Sequence, residues 1–136
     1  MESKHIVSRA AGAIVLAALI AAGGAAGAQG SLPQLARLER GLWQLRDVES
    51  GRTVASICLG DPGALAQPRH VGSACRRSLV AQAPGMVEVR YTCPAAFGQT
   101  TIRIETSRLA RVDSQGVDNG VPFGFRAEAR HVGACR

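Results

Sequence analysis

In the segment MVEVRYTC, residues 86–93, apolar and polar side chains alternate from Val87 to Cys93. Val87, Val89, Tyr91 and Cys93 share one face, and the charged residues fall on the other. Successive side chains of a β-strand point to opposite faces, so this period of two predicts a strand with one buried face and one solvated face. One-sided burial is typical of antiparallel sheets.

The alternation recurs along the rest of the chain. It is clear in Phe123–Arg130 and Thr100–Thr106, and weaker in Leu42–Val48, Thr53–Cys58, Arg77–Gln82 and Leu109–Val117. Turn sequences such as Pro84-Gly85 and Asn119-Gly120 separate these segments. The pattern predicts an all-β fold, a small antiparallel twisted sheet or barrel of about six to seven strands.

A short helix is expected before the first strand. Within Ser31–Arg40, Pro33 suits a first helical turn, and Leu35, Leu38 and Leu42 recur at near-helical spacing. We expect this helix to cover one end of the sheet.

The first 28 residues have the pattern of a secretory signal peptide. Lys4 and Arg9 lie in a positive region before an apolar stretch, and Ala26-Gly27-Ala28 forms a small-residue cleavage site. The pattern predicts Sec-type export, cleavage after Ala28, and a periplasmic or secreted protein that does not span the membrane once the leader is removed. The predicted organisation is a signal peptide at 1–28, a short N-terminal helix at 29–41 and a disulfide-stapled β domain at 42–136.

All four cysteines lie after the leader: Cys58, Cys75, Cys93 and Cys135. An even number in a short exported chain predicts two disulfides. A zinc site is the alternative, but zinc ribbons use close pairs such as C-x2-C, and 16 residues separate even the nearest cysteines here.

Four cysteines allow three pairings. One pairing joins Cys58 to Cys75, at the two ends of the aperiodic segment Leu59–Ala74, and Cys93 to Cys135. Another follows from the hairpin at the Pro-Gly turn, which sets Cys75 nearly opposite Cys93 and leaves Cys58 for Cys135. We favour the second pairing.

Residues 29–136 contain 14 arginines, no lysine and nine acidic residues, a net charge of +5. Most arginines alternate with acids on the outward strand faces, which predicts a solvated lattice of weak ion pairs. Nucleic-acid binding needs clustered arginines beside stacking aromatics, so we expect no nucleic-acid partner. An anionic envelope component or a periplasmic protein fits the charge better. The candidate ligand-binding residues are Arg76, Arg77, Arg126, Arg130 and His70.

The sequence holds no established catalytic motif. No G-x-S-x-G, H-E-x-x-H, P-loop or GxGxxG pattern occurs. His70 with an acid such as Asp61 is the candidate for general-base chemistry. Asp113, Asp118 and Asn119 carry oxygens that a cation could use, although turn formation explains them better. We therefore expect no metal and no cofactor, and favour a non-enzymatic protein.

Several short motifs together resemble a known family. The chain opens its first strand with Gly41-Leu42-Trp43, carries four ordered cysteines, and closes on Arg130-His131-Val132-Gly133-Ala134-Cys135. This order is similar to that of an uncharacterised proteobacterial family of small periplasmic proteins, a domain of unknown function. The resemblance implies export and a β-rich disulfide domain, and it implies no activity.

Three functions follow as hypotheses. The first is a periplasmic non-enzymatic binding or accessory module for an anionic or amphiphilic ligand. The second is an inhibitor of a cell-wall hydrolase, a task that suits a rigid, disulfide-stapled β domain. The third is a small envelope enzyme that uses His70.

Overall fold

The computed structural model describes residues 32–136, and the predicted leader at 1–28 lies outside them. Seven strands form the fold, as the alternation predicts: β1 (Gly41–Asp47), β2 (Thr53–Leu59), β3 (Arg76–Ala83), β4 (Met86–Cys93), β5 (Ala96–Thr106), β6 (Leu109–Asp118) and β7 (Val121–Gly133). Two short 3-10 turns, Leu35–Arg37 and Pro62–Ala66, accompany them.

The strands make one antiparallel sheet in the order β2-β1-β7-β6-β5-β4-β3. Strands β3 to β7 follow one another as a meander, and β1 inserts between β7 and β2. Because β2 and β3 do not pair with each other in residues 32–136, the structure is an open sheet, which settles the choice between sheet and barrel.

The connection from β2 to β3 covers the inner face of the sheet. It begins after Leu59, at the edge of the sheet where β7 ends. It runs to the opposite edge, where Arg76 lies in the same row as the start of β7. Asp61 caps a 3-10 turn within it by accepting a hydrogen bond from the Gly63 N–H at 2.9 Å. Leu65 is fully buried against the sheet, so the connection fills the core although its sequence shows no period.

Alternation explains the core. The inward residues of β4, including Val87, Val89 and Tyr91, are fully buried, and Arg90 on the opposite face is exposed. Trp43 is also fully buried, and its indole N–H donates to the Glu39 carbonyl at 2.9 Å. The prediction of one buried and one solvated face is confirmed.

Both disulfides follow the favoured pairing, with Cys58 joined to Cys135 and Cys75 to Cys93. Arg76 pairs with Thr92 across the β3–β4 hairpin, which brings the preceding Cys75 beside Cys93. Each edge strand is thereby anchored at one end. The two ends of the inner connection are fixed to different parts of the sheet.

The N-terminal helix is much shorter than predicted. Of the predicted helix, the described part is helical only at Leu35–Arg37, as one 3-10 turn, and Leu38 is already extended. In this segment the buried residues are Leu32, Leu35 and Leu38, and their spacing of three matches the 3-10 period rather than the α-helical one. Ser31, where the predicted helix begins, lies outside the described residues.

Candidate functional site

Three of the predicted ligand-binding arginines are already paired with carboxylates. Arg126 lies 2.7 Å from Glu49, and Arg130 lies 2.6 Å from Glu128. Both pairs are largely exposed, as the predicted charge lattice requires, and exposed pairs of this kind contribute only about 0–1 kcal/mol. These two arginines are poor ligand anchors, because a ligand must compete with a carboxylate already in place.

Arg77 points to the inner face and serves the connection. Its guanidinium lies 3.0 Å from Asp61, the residue that caps the 3-10 turn. Partial burial acts to raise the pKa of Asp61, but hydrogen bonds from Gly63 N–H and from Arg77 outweigh it and lower the pKa. Arg77 therefore fastens the connection to β3.

Arg76 belongs to a row of residues that crosses five strands. It lies opposite Thr92, and the row continues through Phe97 and Val117 to Pro122. Directly opposed residues share a face of an antiparallel sheet, so these side chains all lie on the outer face. Phe97 is 56% exposed, which is unusual for a large aromatic side chain.

Arg90 lies on the same face in the neighbouring row. Ser78 opposes it on β3, and Gln99 opposes it on β5. The Arg90 guanidinium makes one long contact of 3.5 Å, in which it donates to the Gln99 side chain. The alternation of β4 places Arg90 among the outward charged residues that are predicted to form weak ion pairs, so no feature of the sequence distinguishes it from the others.

Together these residues form a surface that we term the amphipathic patch: Arg76, Arg90, Phe97, Val117 and Pro122. Within residues 32–136, neither arginine of the patch forms an ion pair. The patch thus combines two unpaired cations with an exposed aromatic ring.

A groove of about 640 Å³ is lined by four residues of the amphipathic patch, and Arg76 lies outside its lining. Its lining includes Phe97 and the backbone of Gly98 and Gly116. A Cβ at Gly98 would lie 2.5 Å from the Tyr91 hydroxyl, so glycine is needed where the sheet is packed tightly on its inner side. The groove is formed by paired strands and is therefore present before any ligand arrives.

His70 is buried on the inner face, away from the patch. Its side chain is only 10% exposed, and its Nε2 lies 3.4 Å from the Asp118 carboxylate. The ring packs near Tyr91 and Phe123, at centroid distances of 5.6 and 6.1 Å. The predicted partner, Asp61, pairs with an arginine instead, because the connection turns it towards β3.

The neighbours of His70 leave little of its side chain open to solvent. Burial raises the pKa of Tyr91. Neither the His70 ring nitrogens nor the Tyr91 hydroxyl has a well-formed hydrogen bond within the described part of the chain. A histidine beside a carboxylate is the pair that a general base needs. The Arg69 guanidinium, which stacks over Phe123 at 4.7 Å from the ring centre, also lies 4.0 Å from the same Asp118 carboxylate.

Asn119 and Gly120 form the turn of the β6–β7 hairpin, and Asp113 and Asp118 lie within β6. Asn119 has φ of 48° and Gly120 has φ of 80°, so both adopt the left-handed conformation of a two-residue hairpin loop. The predicted turn at Asn119-Gly120 is present. Across residues 32–136, no group of three or more His, Cys, Asp or Glu side chains is placed to hold a metal ion.

The fold and its two bridges define a small antiparallel β domain stapled by disulfides. No protein-family model matches the chain, and comparison with curated proteins and with solved structures finds no match. In the described part of the chain, no helix has the length and apolar character needed to cross a membrane. The two disulfides indicate an oxidising, extracytoplasmic environment.

Proposed function

We propose that this protein is an exported, non-enzymatic binding or accessory module whose ligand is an anionic amphiphile of the cell envelope. The observation that supports this proposal is the amphipathic patch, where Arg76 and Arg90 have no carboxylate partner within residues 32–136. Arg76 lies in the same row as the exposed ring of Phe97, with Thr92 between them, and Arg90 lies in the neighbouring row. An anionic headgroup fits the two guanidinium groups, and an apolar chain fits the groove beside them.

Charge and burial support this ligand class. An arginine that is free of ion pairs can bind a phosphate or carboxylate in a bidentate manner. An exposed phenylalanine loses contact with water when an apolar group covers it, which stabilises binding by about 25 cal/mol for each Å² buried. Because the groove is built on strands, binding requires little ordering of the protein.

The proposed route to the envelope is Sec-dependent export. The leader at residues 1–28 and the cleavage site after Ala28 support this route, as do the disulfides. The proposed compartment is the periplasm or the exterior of the cell, and the resemblance to the periplasmic family agrees with it.

Vesicle binding tests the proposal. The purified, oxidised protein is mixed with vesicles of phosphatidylglycerol and phosphatidylcholine, or of phosphatidylcholine alone, and the bound fraction is measured after sedimentation. We expect binding to the anionic vesicles only. Since a basic residue near an anionic surface contributes about 1 kcal/mol, the double variant Arg76→Gln/Arg90→Gln should bind about 25-fold more weakly.

A matched variant separates the patch from net charge. Arg126→Gln/Arg130→Gln removes the same charge from two arginines that are already paired, so its affinity should change about 3-fold or less. Phe97→Ser should weaken binding without changing its salt dependence. Equal losses in the two arginine double variants would overturn the assignment of the patch, and absence of binding to any anionic vesicle would overturn the proposed ligand class.

The contact between His70 and Asp118 supports a second candidate, a small envelope enzyme. Its test is hydrolysis of chromogenic ester and phosphate substrates by the wild-type protein and by His70→Ala. Activity that survives the substitution would exclude His70 as the base. The hydrolase-inhibitor hypothesis stays a prediction, and failure to slow the lysis of cell walls in a turbidity assay would end it.

A further inference from the structure

A second groove, which we term the charged groove, crosses strands β5, β6 and β7 and has a volume of about 360 Å³. Four charged side chains contribute to its lining: Arg103, Arg111, Asp113 and Arg126. Arg103 and Asp113 each lie an even number of residues from a member of the amphipathic patch on the same strand, so they share its outer face. No residue of the amphipathic patch lines the charged groove, so it is a separate site.

The charged groove contains one unpaired group of each sign. Two of its four charged side chains are engaged by glutamates that lie outside its lining: Arg111 by Glu105, and Arg126 by Glu49. Within residues 32–136, neither Arg103 nor Asp113 forms an ion pair. A guanidinium and a carboxylate therefore remain available to a ligand.

The register of the sheet separates these two groups. Arg103 lies directly opposite Arg111, and like charges in direct opposition destabilise a strand pair unless an anion lies between them. Asp113 lies opposite Thr101 in the next outward row, two residues along β6 from Arg111. Its carboxylate repels a simple anion and attracts a cation. Two residues of a strand span about 7 Å, which is the spacing of the two rows.

We propose that the charged groove binds a zwitterionic dipeptide, with the ligand carboxylate between Arg103 and Arg111 and the ligand ammonium group at Asp113. Two extended residues span at most about 7 Å, so the charged ends of a dipeptide match the spacing of the rows. A single amino acid carries both charges on one Cα and is too short to reach both rows. A guanidinium holds a carboxylate through two parallel hydrogen bonds, which favours this end of the ligand at the arginines.

Titration with L-alanyl-L-alanine tests the proposal. Amide chemical shifts of the isotope-labelled, oxidised protein are followed up to about 50 mM dipeptide, because two exposed ion pairs give only weak affinity. We expect saturable shifts centred on residues 101–103 and 111–113. The N-acetyl derivative lacks the ammonium group, the C-terminal amide lacks the carboxylate, and alanine is too short, so each should bind about 5-fold more weakly or worse.

Two variants assign the ends of the ligand. Asp113→Asn should weaken binding of the dipeptide about 5-fold without weakening binding of its N-acetyl derivative, and Arg103→Gln should do the same without affecting the C-terminal amide. Arg52→Gln is the matched control, because Arg52 is also exposed and without an ion pair in the described residues, but lies outside the groove lining.

The outcomes are distinct. Absence of saturable shifts overturns the proposal, and so does equal affinity for the dipeptide and its N-acetyl derivative, since the groove would then bind a simple anion. Equal losses in Arg103→Gln and Arg52→Gln would assign binding to net charge and overturn the site. The comparison of ligand derivatives uses the wild-type protein alone, so it decides the question even if a variant folds poorly.

Discussion

Removal of the bridge between Cys58 and Cys135 should strongly destabilise the fold. The perturbation is the double substitution Cys58→Ser/Cys135→Ser, which leaves the bridge between Cys75 and Cys93 intact. The two bridged pairs are 77 and 18 residues apart in the sequence. Because a cross-link restricts the unfolded chain more when it closes a longer loop, the first bridge should stabilise the fold more than the second.

The loop-closure relation gives the magnitudes. A loop of 77 residues corresponds to about 4.5 kcal/mol at 25 °C, and one of 18 residues to about 3 kcal/mol. A domain of this size has a free energy of unfolding of about 5–15 kcal/mol, so loss of the longer bridge removes a large share of it.

Urea unfolding, followed by tryptophan fluorescence at the buried Trp43, measures the difference. The m-value of each variant should also rise, since the unfolded chain becomes less compact without its cross-link. If Cys58→Ser/Cys135→Ser loses no more stability than Cys75→Ser/Cys93→Ser, the reasoning from loop length is refuted.

Three further perturbations test the packing and the electrostatics. Ser114→Ala should cost about 1–3 kcal/mol in urea unfolding, because it leaves the buried Thr100 hydroxyl, now 2.9 Å from Ser114 Oγ, without its partner. Gly98→Ala should lower the free energy of unfolding by about 1–3 kcal/mol, since the new Cβ would lie 2.5 Å from the Tyr91 hydroxyl. The folded-state pKa of Asp61 is below its ordinary 3.8, so its stabilisation is complete above that value and is lost as the pH falls through the lowered pKa. Asp61→Asn should therefore reduce the loss of stability on the acid side of the unfolding profile.

Each of these has a contrary outcome. Ser56→Ala, at an exposed serine, is the control for the buried hydroxyl, and an equal loss in both variants would contradict the argument. Gly60→Ala has open space around its new Cβ, so it should be nearly neutral beside Gly98→Ala. If the free energy of unfolding of Asp61→Asn falls at low pH as it does in the wild-type protein, Asp61 does not contribute to acid unfolding.

The strands were predictable because their information is local. In β4, Val87, Val89 and Tyr91 face the core and the charged residues lie on the opposite face, so a period of two predicts both the element and its burial. The turn at Asn119-Gly120 needs left-handed backbone, which those residues adopt most readily. The bridge from Cys75 to Cys93 followed from the hairpin between them.

The remaining features depend on tertiary contacts. The connection between β2 and β3 places Leu65 in the core against the inner face of the sheet. Which of its residues are buried depends on the shape of that face, so the sequence of the connection shows no regular alternation. The N-terminal leucines fit either helical spacing in sequence, and only packing selects the 3-10 turn.

Contacts with no sequence signal include the one between His70 and Asp118, which unites residues far apart in the chain. The patch is similar, since Arg76 and Phe97 share a row only through the register of three strands. Which arginines lack an acidic partner is likewise decided by folding.

Mapping of the ligand surface in solution tests the central claim most directly. Amide chemical shifts of the isotope-labelled protein are followed during titration with short-chain phosphatidylglycerol below its micelle concentration. The account predicts that the largest shifts cluster around Arg76, Arg90, Phe97 and Val117 on the outer face. Shifts concentrated around His70 on the inner face, or along the paired arginines of β7, would contradict it.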